Sequence, residues 1–186
     1  MRRAVAVAFS SALWMLSGCA IPNDRSPVAL NQTVASTSTS TTLGRPGSDS
    51  SRLTIYLIGP DGLLVARLRP DPSTTVATAV QDLLAGPTDT ETADGLTSAL
   101  PSGTRLEHAR VTGSTAVLDF NESLASSSGK EQLLAFAQIV LTAVAVKGIT
   151  HIEISVAGQT VNAPEPNGTL AEGPVNGLVY AGLLEG

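Results

Sequence analysis

A single cysteine, two histidines and an aromatic content of 3% leave little material for redox, metal or ring-stacking chemistry. One cysteine, Cys19, cannot form a disulfide within the chain, so any folded part must stand on its own core. Metal centres need several converging His, Cys or carboxylate ligands. His108 and His151 are far apart in sequence, each in a strand-like stretch, so no metal and no cofactor is expected. With so few rings, a stacked platform for sugars is disfavoured. No Gly-x-Ser-x-Gly elbow is present to carry a serine nucleophile. Ser126-Ser127-Ser128-Gly129-Lys130 fails as a phosphate loop, because Leu124 stands where the first glycine belongs and Glu131 replaces the Ser/Thr. The chain is accordingly expected not to be an enzyme.

Basic residues are also scarce. The 186 residues carry 11 Lys and Arg against 16 Asp and Glu, a net −5. Residues 52–186 alone hold 14 acidic and 7 basic residues, a net −7. Nucleic-acid partners need clustered Lys and Arg, so none is expected. Electrostatic adhesion to anionic lipid is disfavoured on the same ground.

No apolar run reaches the about 20 residues that a membrane span needs. The longest candidate, Ala4 to Leu16, follows Arg2-Arg3 and is interrupted by Ser10 and Ser11. Its length and flanks are those of a signal-peptide core. Directly behind it, Leu16-Ser17-Gly18-Cys19 resembles a bacterial lipobox. That resemblance implies a signal peptide over 1–18, cleavage before Cys19, and lipid (palmitate among the acyl groups) on its sulfur. The implied location is the extracytoplasmic face of the bacterial cytoplasmic membrane, and the membrane is reached through the lipid on Cys19. Two or more acyl chains hold a protein stably to a bilayer, where one does so only weakly.

Residues 19–51 read as a flexible tether, with Ser36-Thr37-Ser38-Thr39-Ser40-Thr41-Thr42 at the centre. About 30 such residues reach on the order of 30 Å. Residues 52–186 are long enough for one domain with a real core.

Within that block Leu53–Ile58 and Leu63–Arg69 predict a hairpin around Gly59-Pro60-Asp61-Gly62. Ser73 or Thr74 predicts the cap of a helix running to Leu84, with Val76, Val80, Leu83 and Leu84 inward and Gly86-Pro87 as its stop. Thr88–Asp94 reads as an acidic solvated loop. Asp89, Glu91 and Asp94 lack the spaced oxygens and glycine of a calcium loop. Leu96 and Leu100, four apart, predict a helical turn. Arg105–Thr112 and Thr115–Phe120 predict a second hairpin around Gly113-Ser114. Lys130–Lys147 predicts a helix that is apolar around most of its circumference, preceded by a serine cap. His151–Val156 alternates as a strand, and Ala157-Gly158 turns it back toward Val161. The tail from Pro164 reads equally as a last short strand or as packing against the core. The order is roughly ββαββαββ: an α+β domain, a mainly antiparallel sheet with two helices packed on one face.

Three stretches carry a family resemblance. The first is Leu83-Leu84-Ala85-Gly86-Pro87 followed by Gly95-Leu96 and Leu100-Pro101-Ser102-Gly103-Thr104. The second is Ala116-Val117-Leu118-Asp119-Phe120, a strand closing on an acidic residue. The third is Gln138-Ile139-Val140-Leu141-Thr142, then Gly148, Ile152–Val156 and Gly158. In this order and spacing the chain resembles the GerMN domain of sporulation and spore-germination proteins. The resemblance implies a compact cell-envelope module for binding or assembly, with no catalytic residues to carry over. The implied partner is another envelope protein or a cell-wall component.

Gln138 and Thr142 are the site candidates. Their spacing puts both on one helix face, either as contacts for a ligand or partner or as a hydrogen-bonded stripe satisfying sheet-edge backbone. Two other functions stay open: an envelope hydrolase, with Gln138, Thr142, Asp119 and His151 as its raw material, and a small-ligand or lipid carrier near Gln138 and Thr142.

Overall fold

The computed structural model describes residues 51–186. Cys19, the signal peptide and most of the tether lie outside the described residues. Six strands and three α-helices follow in order: β1 (Arg52–Ile58), β2 (Leu64–Pro70), α1 (Val76–Leu84), α2 (Asp89–Ala93), β3 (Leu106–Thr112), β4 (Thr115–Phe120), α3 (Gly129–Val144), β5 (His151–Val156) and β6 (Gln159–Val161). Two 3-10 segments, Glu122–Ser126 and Gly177–Leu183, complete the fold. The α+β class is as the sequence implies, and the order is the expected ββαββαββ with one short helix, α2, added after α1. The sheet, however, comes in two pieces, β1-β2 and β3-β4-β5-β6.

Three strand pairs are antiparallel, and β4-β5 is parallel. The parallel pair follows from connectivity. A crossover through α3 brings the chain back to its starting end, whereas a tight turn reverses it. Two of the three tight turns show their local chemistry clearly. Gly59 N–H donates to Leu63 O at 2.7 Å, and Leu63 N–H donates to the Asp61 carboxylate at 3.0 Å. At β5-β6 the two-residue turn places Ala157 at φ 50 and Gly158 at φ 75, the left-handed pair that a type I′ hairpin demands.

One core joins both sheets to α1 and α3, through Ile55 and Leu57 of β1, Val80 and Leu83 of α1, Leu118 and Phe120 of β4, and Ile139 and Val140 of α3. The described residues, 51–186, form a single compact unit around it.

Local chemistry moves several boundaries. The cap of α1 is Thr75, whose hydroxyl accepts from Thr78 N–H at 3.2 Å; Leu84 is only partly buried, and Ala79 takes the fully buried position. The acidic stretch is not an open loop but the helix α2, because Thr88 and Glu91 form a reciprocal capping box. Leu96 to Leu100 is extended rather than a helical turn. Thr97 exchanges two 2.9 Å backbone bonds with Ile58, which a helical turn would forbid. The helix α3 ends at Val144 rather than Lys147, and Ser128 occupies its cap position without a side-chain hydrogen bond. The tail forms the 3-10 segment with Tyr180 fully buried, its hydroxyl donating to Pro164 O at 2.9 Å.

Candidate functional site

Strand β1 pairs with β2 along one edge only. Its other edge runs beside α3, where unpaired N–H and C=O groups would be buried at a cost of about 1–3 kcal/mol each. Two side chains of α3 meet that need. Gln138 Nε2 donates to Tyr56 O at 2.8 Å, and Tyr56 N–H donates to Thr142 Oγ1 at 3.1 Å. Gln138 Oε1 also accepts from Ala99 N–H at 2.8 Å and from Ser98 Oγ at 3.4 Å. Both residues are 0% exposed. Their i, i+4 spacing presents them side by side to a single residue of β1. Gln138 and Thr142 therefore act as internal fasteners of a sheet edge. Their polar atoms face backbone rather than an opening, and a ligand has no exposed atom of theirs to contact.

The fastening shapes what lies next to it. By holding Ala99, Gln138 fixes the segment 98–101 against α3. Asn121 fixes the following turn: its Oδ1 accepts from Arg105 N–H at 2.9 Å, and its Nδ2 donates to Gly103 O at 2.9 Å. Between segment 98–101, the serines before α3 and the first turns of α3 opens a cleft of about 430 Å³. Ile58, Leu100 and Leu134 supply its apolar wall, and Ser98, Ser126, Ser127 and Glu131 its polar one. Among the described residues, the Ser127 hydroxyl is the one buried side-chain polar atom without a hydrogen-bond partner. None of these four polar residues stands out in the sequence as a site, because serines around a helix start read as caps. The unfilled cap at Ser128 is the feature that only coordinates reveal.

The remaining sequence candidates do not converge. Asp119 sits at the end of β4 and accepts from Gly158 N–H at 2.9 Å, pinning the β5-β6 turn. His151 pairs with Thr115 at the opposite end of the same strand pair, four residues or about 13 Å away. It is exposed, with Nδ1 2.9 Å from Thr150 Oγ1. His108 is exposed on β3. Of the acidic residues around α2, Glu91 accepts from Arg69 Nη2 at 2.6 Å and from Thr88 N–H at 2.8 Å. Burial alone would raise the Glu91 carboxyl. The Thr88 backbone bond, the Arg69 hydrogen bond and the Arg69 charge outweigh it and hold the group below its ordinary range.

A second opening, an apolar groove of about 510 Å³, lies at the far end of α3 between Leu141, Val144, Leu178 and Leu184. Leu178 on its rim is 83% exposed. No helix among the described residues is long and apolar enough to cross a membrane.

The fold is similar to the tandem GerMN domains of the sporulation protein GerM from Bacillus subtilis, with TM-score 0.56 and 20% identity, over 68% of this chain and 46% of that one. It is equally similar to the first GerMN domain of the same protein, with TM-score 0.55 and 20% identity, over 68% of this chain and 97% of that one. The chain thus spans less than half of the tandem structure. No curated protein matches the sequence. The family model described as "Germane: Sporulation and spore germination" matches residues 54–162, from β1 to just past β6. This match covers more than half of the sequence, and the chain belongs to the Germane family.

Proposed function

We propose that this chain is a non-catalytic binding or assembly module of the cell envelope. In this reading it is held to the extracytoplasmic face of the cytoplasmic membrane by lipid on Cys19, and it contacts another envelope protein or a cell-wall component. The observation that carries the non-catalytic part is the employment of the family segments. Gln138 and Thr142 fasten β1, Asp119 pins a turn, and Gly86 and Gly95 take left-handed turn positions at φ 77 and 82. These roles build a body, and the hydroxyl that does lie beside an imidazole among the described residues, Thr150 Oγ1 at 2.9 Å from His151 Nδ1, belongs to an exposed pair outside them. The anchoring part is supported by Arg2-Arg3, the short apolar run and Leu16-Ser17-Gly18-Cys19.

Metabolic labelling with palmitate tests the anchor: label on the native chain and none on Cys19→Ser is expected, and an unlabelled native chain retaining its leader refutes it. Crosslinking in intact membranes, followed by identification of the captured species, tests the module. Retention of one envelope partner is expected. Turnover of a wall or lipid substrate, abolished by alanine at Asp119 or His151, would instead favour the hydrolase reading. The apolar groove beside Leu141 and Val144 favours one further reading, a lipid or small-ligand carrier. A lipid co-eluting with the purified chain in native mass spectrometry would support it.

A further inference from the structure

The 430 Å³ cleft at the start of α3 has a hydrogen-bonding polarity that selects its ligand. The Ser126 hydroxyl donates to Ser123 O at 2.8 Å, so its oxygen is left to accept. Ser98 Oγ accepts from Leu100 N–H at 3.2 Å, lies 3.4 Å from Gln138 Oε1, and keeps one lone pair toward the cleft. An ionised carboxylate such as that of Glu131 is also acceptor-only, and among the described residues Glu131 has no ion-pair partner. Ser127 adds a hydroxyl with no partner, in a segment whose neighbours Ser126 and Ser128 are exposed. No basic residue lines the cleft.

An anion would meet Glu131 and the net −7 of residues 52–186, although a helix start by itself favours negative charge. A divalent metal needs more oxygen ligands than one carboxylate supplies. A sugar brings hydroxyl oxygens that acceptor groups leave unpaired, and its ring would find no aromatic in this wall. A compact ammonium carries three donors and no acceptor, so it suits the Glu131 carboxylate and the serine oxygens of this wall. The apolar wall of Ile58, Leu100 and Leu134 suits the methylene stem that carries such a group.

We infer that this cleft is a binding site for an alkylammonium group, presented as a lysine side chain of a protein partner, with Glu131 as the counter-charge and the serine oxygens as acceptors. The inference rests on the reading of the chain as a binding module and names the chemistry of one contact.

Amide-resolved NMR titration of the chain from residue 20 onward tests it, with Nα-acetyl-lysine amide as the probe. Nα-acetyl-norleucine amide serves as the uncharged comparison, and N-acetylglucosamine represents a wall sugar. Saturable shifts in residues 98–101 and 126–134 with the lysine probe alone are expected, with at least tenfold weaker binding in Glu131→Gln. Ser127→Ala is expected to weaken the lysine titration several-fold while leaving the melting temperature unchanged or higher, since the hydroxyl has no internal partner to lose. Equal shifts with norleucine amide, a sugar response equal to or larger than that of lysine, or no response in these residues overturns the assignment. A lower melting temperature of Ser127→Ala removes Ser127 from it. None of these outcomes bears on acylation of Cys19 or on crosslinking, so failure of the cleft and failure of the membrane-module reading are separable.

Discussion

Gln138 Nε2 donates to Tyr56 O at 2.8 Å and thereby ties the middle of α3 to a strand 82 residues earlier in the chain. Replacing Gln138 by Leu keeps the bulk and strands two buried backbone groups, Tyr56 O and Ala99 N–H. At about 1–3 kcal/mol per orphaned group, the expected loss is roughly 2–6 kcal/mol in urea unfolding. Thr142→Val strands only Tyr56 N–H and should cost about 1–3 kcal/mol. A Gln138→Leu chain as stable as the parent would show that β1 does not depend on this edge.

The Arg69–Glu91 contact ties β2 to α2, at 16% and 13% side-chain exposure. The Glu91 carboxyl is lowered from the ordinary 4.5, so the unfolded chain takes up its proton first as pH falls. The stabilisation is complete above about pH 4.5 and fades as pH drops through the lower folded value. Asp82 works in the opposite sense. Burial first, and the Asp71 charge next, raise its carboxyl against the pull of Arg69, so protonation relieves it in the same acid range. Comparing the native chain with Glu91→Gln cancels the Asp82 effect. The native advantage is expected to be about 1–2 kcal/mol at pH 7, typical of a hydrogen bond to a charged group, and to shrink below pH 4. An advantage independent of pH would sink this account.

Ala157 holds φ 50 in the β5-β6 turn, where a Cβ is disfavoured. Glycine there releases that strain, while asparagine tolerates it better than alanine. Ala157→Gly should raise stability by about 0.5–1 kcal/mol, read as a small increase in melting temperature. A decrease would mean that the flexibility gained by the unfolded chain outweighs the relief.

Gly177 begins the final 3-10 segment where a Cβ would lie 2.9 Å from Val144 Cγ2. Its backbone is not left-handed, so the constraint is one of packing alone. Gly177→Ala should cost about 1–3 kcal/mol by overpacking and loosen the tail around Tyr180. Faster amide exchange in residues 176–184, without change in β1, is the expected signature.

Much of this body was legible from local chemistry. The hairpin turns at Gly59–Gly62 and Ala157-Gly158, the stop at Gly86 and the apolar helix α3 each depend on residues adjacent in sequence. Helix α2 was hidden because a five-residue helix without a buried residue has no hydrophobic period, and only its capping box marks it. Leu96 and Leu100 misled because spacing of four is a helical signal only where the backbone keeps its bonds local. Here Thr97 gives its pair of bonds to Ile58 instead.

What the sequence alone determined is the class of the fold, the order of its strands and two longer helices, its family likeness and the scarcity of reactive groups. All of these follow from composition and short-range pattern. What the tertiary structure decided is where polar side chains spend their hydrogen bonds. Gln138 and Thr142 carry the same i, i+4 spacing whether they face a ligand or a strand. Their role became determinate only when β1 was laid beside α3 with one edge open. Likewise Ser98, Ser127 and Glu131 form one wall only because that edge holds segment 98–101 beside the start of α3. Hydrogen-bond satisfaction is a property of three-dimensional neighbours, and residues 40 to 86 apart in sequence give no local sign of it.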